Sequence, residues 1–409
     1  IRINERSVKM TDINIQEPIR DAKQLSMGKR LVLGLQHAFT MFGATILVPL
    51  LTGLDISVAL FMAGVSTLIF HFITKKKVPV FLGSSFAFIA PILIAAEVAG
   101  ANGLAYARGG LVVAGLIYLL VALLIYAFGV DKVVSFFPPI VTGPIILVIG
   151  LKLAPTAIGM ASENWFLAIV SFLVVLIVNM YGKGFIQIIP VVTGLIFGYI
   201  VAIVTNNVDF APIIEANWLG LPKFEMAKFS WETIALVAPI ALVTVVEHIG
   251  DVIAIGATVE EDFLEDPGLH LTMIGDGLCT SISAMFGGPA NTTYSENTGV
   301  LALTRVWDPV VMRIAAVMAI ILGGVPKLAA VISTIPTAVI GGISIILFGM
   351  IAAIGARTLV ENHVDFTKSK NLLIAATILV LGLGGDQVPG EMALAAIIGI
   401  VLSKLLPQR

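Results

Sequence analysis

Residues Gly287–Arg305 read GGPANTTYSENTGVLALTR, and this stretch decides how the chain must fold. It is embedded in long apolar sequence, yet it opens on a glycine pair and a proline and continues with β-favouring Thr292, Thr293 and Tyr294. Ser295, Glu296 and Asn297 follow, and only after Thr298 and Gly299 does the pattern turn helical. Such a stretch cannot be a continuous lipid-facing helix, because its backbone amides and carbonyls need partners inside the protein. The expected solution is a short extended piece followed by a half-helix starting near Glu296, whose free N–H groups can face a ligand. Val78–Pro91, VPVFLGSSFAFIAP, follows the same plan earlier in the chain: extended residues, small polar ones, then a helix start. Two broken segments of this kind can pair near the midplane of a membrane and form a binding site there.

The surrounding composition demands a membrane. Of 409 residues 58% are hydrophobic and 12% charged, against roughly half and a quarter in soluble domains. A soluble fold needs a polar skin that this chain cannot supply, and lipid removes that demand. The formal net charge of −2 argues against a nucleic-acid partner, which would require a basic face. The single cysteine, Cys279, excludes an internal disulfide and reads as a small buried residue. There is no metal-ligand cluster, nucleophile elbow or phosphate loop, so neither an enzyme nor a cofactor is expected. Residues 1–30 are polar and basic with no cleavable signal pattern, so the first apolar segment is expected to act as the insertion signal.

Fourteen apolar segments can be placed along the chain. In the first half they fall near 31–51, 55–74, 80–100, 109–128, 134–153, 165–181 and 186–205. In the second half they fall near 233–256, 269–287, 290–304, 310–329, 335–354, 371–386 and 391–406. With the amino terminus inside, inner segments hold nineteen Lys and Arg and outer segments five. That bias places both termini in the cytoplasm of an inner-membrane protein. The longest polar insert, 206–230, becomes an outer connector between halves, and Thr258–Pro267 a surface linker or interfacial helix.

The halves resemble each other. Phe137–Gly143 (FPPIVTG) recurs as Ile335–Gly341 (IPTAVIG), Pro138 matching Pro336 and Gly143 matching Gly341 at one offset of 198 residues. Gln36–His37 and Glu247–His248 are mid-span polar pairs near the start of each half. Seven spans per half is an odd number, so the two copies would be inverted relative to each other.

Polar groups at membrane depth carry the functional expectation, since each costs several kcal/mol. Glu247 and Asp251 are four apart and share a helix face. Two carboxylates there repel unless one is protonated or a donor intervenes, which suits a proton carrier. His248 points about 100° away from Glu247 and reads as a packing or supporting residue. His37 is either a hydrogen-bonded packing residue or part of the proton machinery, and Asp276, between two glycines, lies near a span end. His71, His270 and His363 fall close to span ends and read as interfacial.

At these residues the chain resembles the nucleobase–ascorbate transporter family, in its bacterial uracil-carrying branch. The family signature is an acidic or amide residue, Asn, any residue, Gly, four more, Thr and a basic residue or Gly. Glu296-Asn297-Thr298-Gly299-Val300-Leu301-Ala302-Leu303-Thr304-Arg305 matches every fixed position. Leu35-Gln36-His37, Gly83-Ser84-Ser85-Phe86 and Asn291-Thr292-Thr293-Tyr294 extend the likeness. The resemblance implies an all-α polytopic fold of fourteen segments in two inverted seven-segment repeats, with two broken segments containing short extended stretches. Residues 31–130 and 231–330 would form a substrate-carrying core, and 131–205 and 331–409 a gate that also makes a homodimer. Uracil would bind between the broken segments. Glu296 and Glu247 would accept from ring N–H groups, backbone N–H groups at Phe86 and Ser295 would reach the carbonyls, and the Phe86 ring would stack on the base. Ala44 and Tyr294 complete the implied contact set, with Asn297, Ser85 and His248 in support. Proton coupling would fall to Glu247, Asp251, His37 and Asp276.

Three departures from the pattern bear on the substrate. Asp251 stands where some uracil carriers have a second histidine. Asp251 and Asp276 resemble acidic positions of purine (xanthine, urate) members, and Ser295 replaces a common glycine. Glu296 opens the signature where purine carriers usually have Gln, which favours uracil. Sodium coupling and an anion carrier of related architecture are the other readings.

Overall fold

The computed structural model describes residues 17–294, 296–384 and 391–407. Among them are fourteen helices of nine or more residues. The first half supplies α1 Met27–Thr52, α2 Ile56–Ile73, α3 Ile89–Ala99, α4 Gly103–Phe128, α5 Pro139–Ser162, α6 Trp165–Tyr181 and α7 Pro190–Val204. The second supplies α8 Ala241–Val259, α9 Leu269–Met285, α10 Glu296–Thr304, α11 Val310–Gly323, α12 Thr337–Glu361, α13 Ser369–Gly384 and α14 Glu391–Leu405. Two three-residue strands, β1 Leu82–Ser84 and β2 Asn291–Thr293, interrupt this pattern.

Helix ends follow local chemistry. Ser26, Asp55 and Asn164 each accept a backbone N–H at the starts of α1, α2 and α6, satisfying donors that a helix start leaves free. Gly53 closes α1 at φ +78°, a left-handed turn that glycine adopts without steric cost. Six helices are long and apolar enough to cross a bilayer by themselves: α1, α2, α4, α5, α12, and α8 taken with its lead-in from Trp231. Their outward faces are apolar: Leu120, Leu123 and Tyr126 on α4 are more than half exposed. Lipid is the solvent such a surface fits. The chain is therefore a multi-pass membrane protein.

Helix contacts run through small residues. A Cβ at Gly150 of α5 would lie 2.4 Å from the Ala352 amide nitrogen of α12. Near the two ends of the same pair, Gly143 faces Gly355 and Gly341 faces Ala161, so α5 and α12 pack antiparallel at backbone distance. Gly115 of α4 and Gly277 of α9 approach each other's carbonyls in the same way, and Gly64 of α2 lies against the Ala316 carbonyl of α11. α13 and α14 pack on α5, while α1, α2, α4, α9 and α11 form a separate set of close neighbours.

Both expected broken segments are broken, and they meet. β1 pairs antiparallel with β2 in the register Leu82↔Thr293, Gly83↔Thr292, Ser84↔Asn291. The ladder is prolonged by Ser85 N–H donating to the Ala290 carbonyl (2.9 Å) and Tyr294 N–H to the Phe81 carbonyl (3.0 Å). Each segment thus satisfies the other's backbone, which no lipid could do.

Other expectations need amendment. Segment 310–329 is not one straight helix: α11 ends at Gly323 and the chain bends by 80° into Pro326–Ser333. Pro326 has no N–H to continue α11. His71 is not interfacial but fully buried, with Nε2 2.8 Å from the Val80 carbonyl; it braces the approach to β1. The linker after α8 begins at Glu260, in the left-handed region at φ +57°. Connector 206–230 is tied inward where Lys228 N–H donates to the Ala105 carbonyl and Ala227 N–H to the Met285 carbonyl. Residues 17–25 lie against the polypeptide after α10, where Ile19 exchanges backbone bonds with Arg305 and Trp307.

Candidate functional site

The strand pair anchors the site. Gly83 is the one residue in β1 that can sit there: a Cβ would stand 2.4 Å from the Tyr294 ring and 2.8 Å from the Thr45 hydroxyl. That ring lies across the ladder, its hydroxyl donating to the Ser84 carbonyl at 2.9 Å. Ser84 in turn donates to the Thr45 carbonyl of α1 at 3.0 Å. Asn291 donates to Ser66 of α2 at 2.9 Å, and Thr280 of α9 donates to the Asn291 carbonyl at 2.6 Å. The crossing is thereby fixed to three helices.

Neighbouring hydroxyls on β2 reach two acids: Asp276, fully buried midway along α9 rather than near a span end, and the half-buried Asp251. Thr292 donates to Asp276 at 3.1 Å and Thr293 to Asp251 at 3.0 Å. His248 joins them: its Nδ1 lies 3.4 Å from the Thr293 hydroxyl and 3.5 Å from Asp276, and its Nε2 3.1 Å from the Thr272 hydroxyl. Asp251, Thr293, His248 and Asp276 therefore form a continuous chain of polar contacts. Glu247, one turn before Asp251 on α8, remains solvent-accessible and lies within electrostatic reach of Glu296 and Asp276.

Glu296 opens α10 and is accessible, whereas the adjacent Asn297 is buried. Asn297 ties α10 to α1 through its Nδ2, 3.1 Å from His37 Nδ1 and 3.3 Å from the His37 carbonyl. His37 is fully buried and its Nε2 has no hydrogen-bond partner among the described residues. Ser85 Oγ is likewise buried without one.

A cavity of about 350 Å³ opens beside this framework, at the small end of ligand sites, which run from roughly 300 to 1,000 Å³. Ala44 and Thr40 of α1, Phe86, Glu296 and Gly299 form one wall. Asn179 of α6, Gln187, Ile188–Val192, and Leu347 and Met350 of α12 form the other. Phe86, Ala44 and Glu296 are thus brought to one space. Tyr294 does not line this space, its hydroxyl being engaged by the Ser84 carbonyl, and neither Glu247 nor Asp251 of α8 is among the lining residues. Ser295 lies outside the described residues. Sequence reasoning missed Thr40, Asn179 and Gln187, whose only signal is an uncharged polar side chain within or beside an apolar run.

Apolar helices around a crossing of two short strands, with one carboxylate, Glu296, facing a small cavity, define a membrane transport protein rather than an enzyme. The chain belongs to the permease family, whose model matches residues 28–391. It is 44% identical to the uracil permease of Bacillus caldolyticus, over 97% of this chain and 96% of the relative. Identity to the Bacillus subtilis uracil permease is 42%, over 91% and 92%. For the Escherichia coli K12 uracil permease it is 41%, over 91% and 90%. Among solved structures, murine Solute Carrier 26 family member A9, an anion transporter in the inward-facing state, superposes with TM-score 0.72 at 12% identity. That match covers 93% of this chain and 68% of the other. The transmembrane domain of the cyanobacterial bicarbonate transporter BicA gives 0.62 at 15% identity, covering 92% and 97%. At these identities the likeness concerns the fold.

Proposed function

We propose that the protein is a proton-coupled uracil permease that works by moving a core against a gate. The observation that carries the substrate assignment is Glu296 at the start of α10, facing the cavity beside Phe86 and Ala44. Uracil presents two ring N–H donors and two carbonyl acceptors on a flat ring. The Glu296 carboxylate accepts from one N–H, Glu247 from the other, and backbone N–H groups at the half-helix starts serve the carbonyls. The Phe86 ring packs on the base. Full-length similarity to uracil permeases supports the same substrate.

The chain of contacts Asp251–Thr293–His248–Asp276 supports proton coupling, because it sets two acids at either end of a run of groups along which a proton can pass. The core is residues 31–130 and 231–330, the gate 131–205 and 331–409, and the cavity lies between them. The antiparallel packing of α5 on α12, each preceded by a proline, and the local two-fold register of β1 with β2 support two inverted seven-segment repeats. Lipid surrounds a homodimer formed through the gate, and both termini are cytoplasmic.

Equilibrium binding of radiolabelled uracil to the purified protein tests the substrate reading. Wild type should bind uracil in the presence of excess xanthine, and Glu296→Ala should lose that binding. Displacement by xanthine would instead assign a purine substrate.

A further inference from the structure

A second cleft, of about 260 Å³, lies where the start of α5, the start of α13 and the end of α14 meet. Lys368, Lys370 and Lys404 line it, with Ser135, Asn371 and Ser403, and no carboxylate is among its lining residues. Lys404 donates to the Ser135 carbonyl at 2.9 Å and lies 4.5 Å from the Phe136 ring centroid, so this ammonium is held over the cleft. Two acids lie nearby, Glu361 at the end of α12 and Asp365 on the α12–α13 connection, and neither lines the cleft. Thr367 donates to Asp365 from its hydroxyl and amide and, with a smaller contribution from the nearby Lys368 ammonium, holds that carboxyl below the usual carboxylate range. This leaves Lys370 and Lys404 as the cleft's ammoniums without an acid partner among the described residues. Glu361 is paired with Arg357 at 2.6 Å.

Immediately beside the three lysines the surface turns apolar. Phe136, Phe366, Leu372, Leu373, Val401 and Leu405 are all at least 41% exposed. A ring of ammonium, hydroxyl and amide donors at the edge of a lipid-facing surface matches one amphiphilic shape: a phosphate headgroup above acyl chains. A free phosphate would leave the adjoining leucines without a role.

We infer that this cleft binds the phosphate headgroup of an anionic phospholipid, with Lys368, Lys370 and Lys404 as its contacts and the exposed faces of α13 and α14 as the bed for its chains. The lipid stands on the gate half, away from the substrate cavity. By the distribution of Lys and Arg along the chain, it belongs to the inner leaflet.

Native mass spectrometry of the detergent-purified full chain tests this directly. The protein is titrated with phosphatidylglycerol, phosphatidylcholine or inorganic phosphate and the retained adducts are counted. Wild type should retain phosphatidylglycerol over phosphatidylcholine, and millimolar inorganic phosphate should not displace it. Each of Lys368→Gln, Lys370→Gln and Lys404→Gln should lower phosphatidylglycerol retention by about fivefold, and the triple variant should bring it level with phosphatidylcholine. Lys29→Gln, at the start of α1, should change nothing. The single variants give the answer should the triple variant fail to fold. Undiminished phosphatidylglycerol retention in the lysine variants would overturn the assignment, as would an equal loss in Lys29→Gln. Displacement by inorganic phosphate would overturn the lipid and leave a free-phosphate site.

Discussion

Adding one methyl group at Gly83 should damage the site more than removing most of the side chains around it. The new Cβ would fall 2.4 and 2.5 Å from two Tyr294 ring carbons and 2.8 Å from the Thr45 hydroxyl. Carbon contacts are comfortable at about 3.5–4.0 Å, so the ring must retreat by roughly 1 Å or the strands must part. Overpacking of this kind costs about 1–3 kcal/mol. Displacing the ring also breaks the Tyr294–Ser84 hydrogen bond and leaves a buried carbonyl unpaired, for about 1–3 kcal/mol more. The total, roughly 2–6 kcal/mol, falls on the crossing that positions Phe86 and the start of α10. Thermal unfolding and uracil binding should both register it, the latter by at least about tenfold. Gly83→Ala combined with Tyr294→Ala removes the ring and should be less impaired than the sum of the single variants. If Gly83→Ala binds uracil and melts as wild type does, the strand crossing does not position the site as argued here.

Thr293→Val removes the link between Asp251 and His248 while keeping the shape of β2. Uracil binding should stay within about twofold, since no base contact is lost, while accumulation driven by a proton gradient should fall steeply. Asn297→Ala strips His37 Nδ1 of its partner and should destabilise the fold by about 1–3 kcal/mol, read as a lower melting temperature. Lys152 and Glu391 form an ion pair about nine-tenths buried, between α5 and α14. Lys152→Met should cost about 3–5 kcal/mol by leaving a buried charge, and Lys152→Met with Glu391→Leu should recover most of that loss in an unfolding assay.

The parts of this protein that could be read from sequence are those where a local rule is broken. Gly83 and the run from Gly287 to Glu296 interrupt apolar sequence with residues that no lipid-facing helix would carry, and they became β1, β2 and the start of α10. Glu296 and Phe86 stand out in the sequence for the same reason, and both line the cavity. What stayed hidden depends on distant packing. Thr40, Asn179 and Gln187 come from three separate segments, and nothing local says that they share a cavity. His71 looked interfacial because it ends a span, and only the fold back toward Val80 buries it. The bend after Gly323 has an apolar sequence on both sides, so hydropathy passes across it unchanged.

Radiolabelled uracil uptake into proteoliposomes under an imposed inward proton gradient tests the central claim most directly, repeated with a sodium gradient and with excess xanthine. Proton-driven accumulation that sodium does not replace and xanthine does not block is the expected result, abolished in Glu296→Ala. Absence of uracil uptake, or uptake that xanthine blocks equally, would contradict the account and turn Asp251 and Asp276 into the guides to a purine substrate.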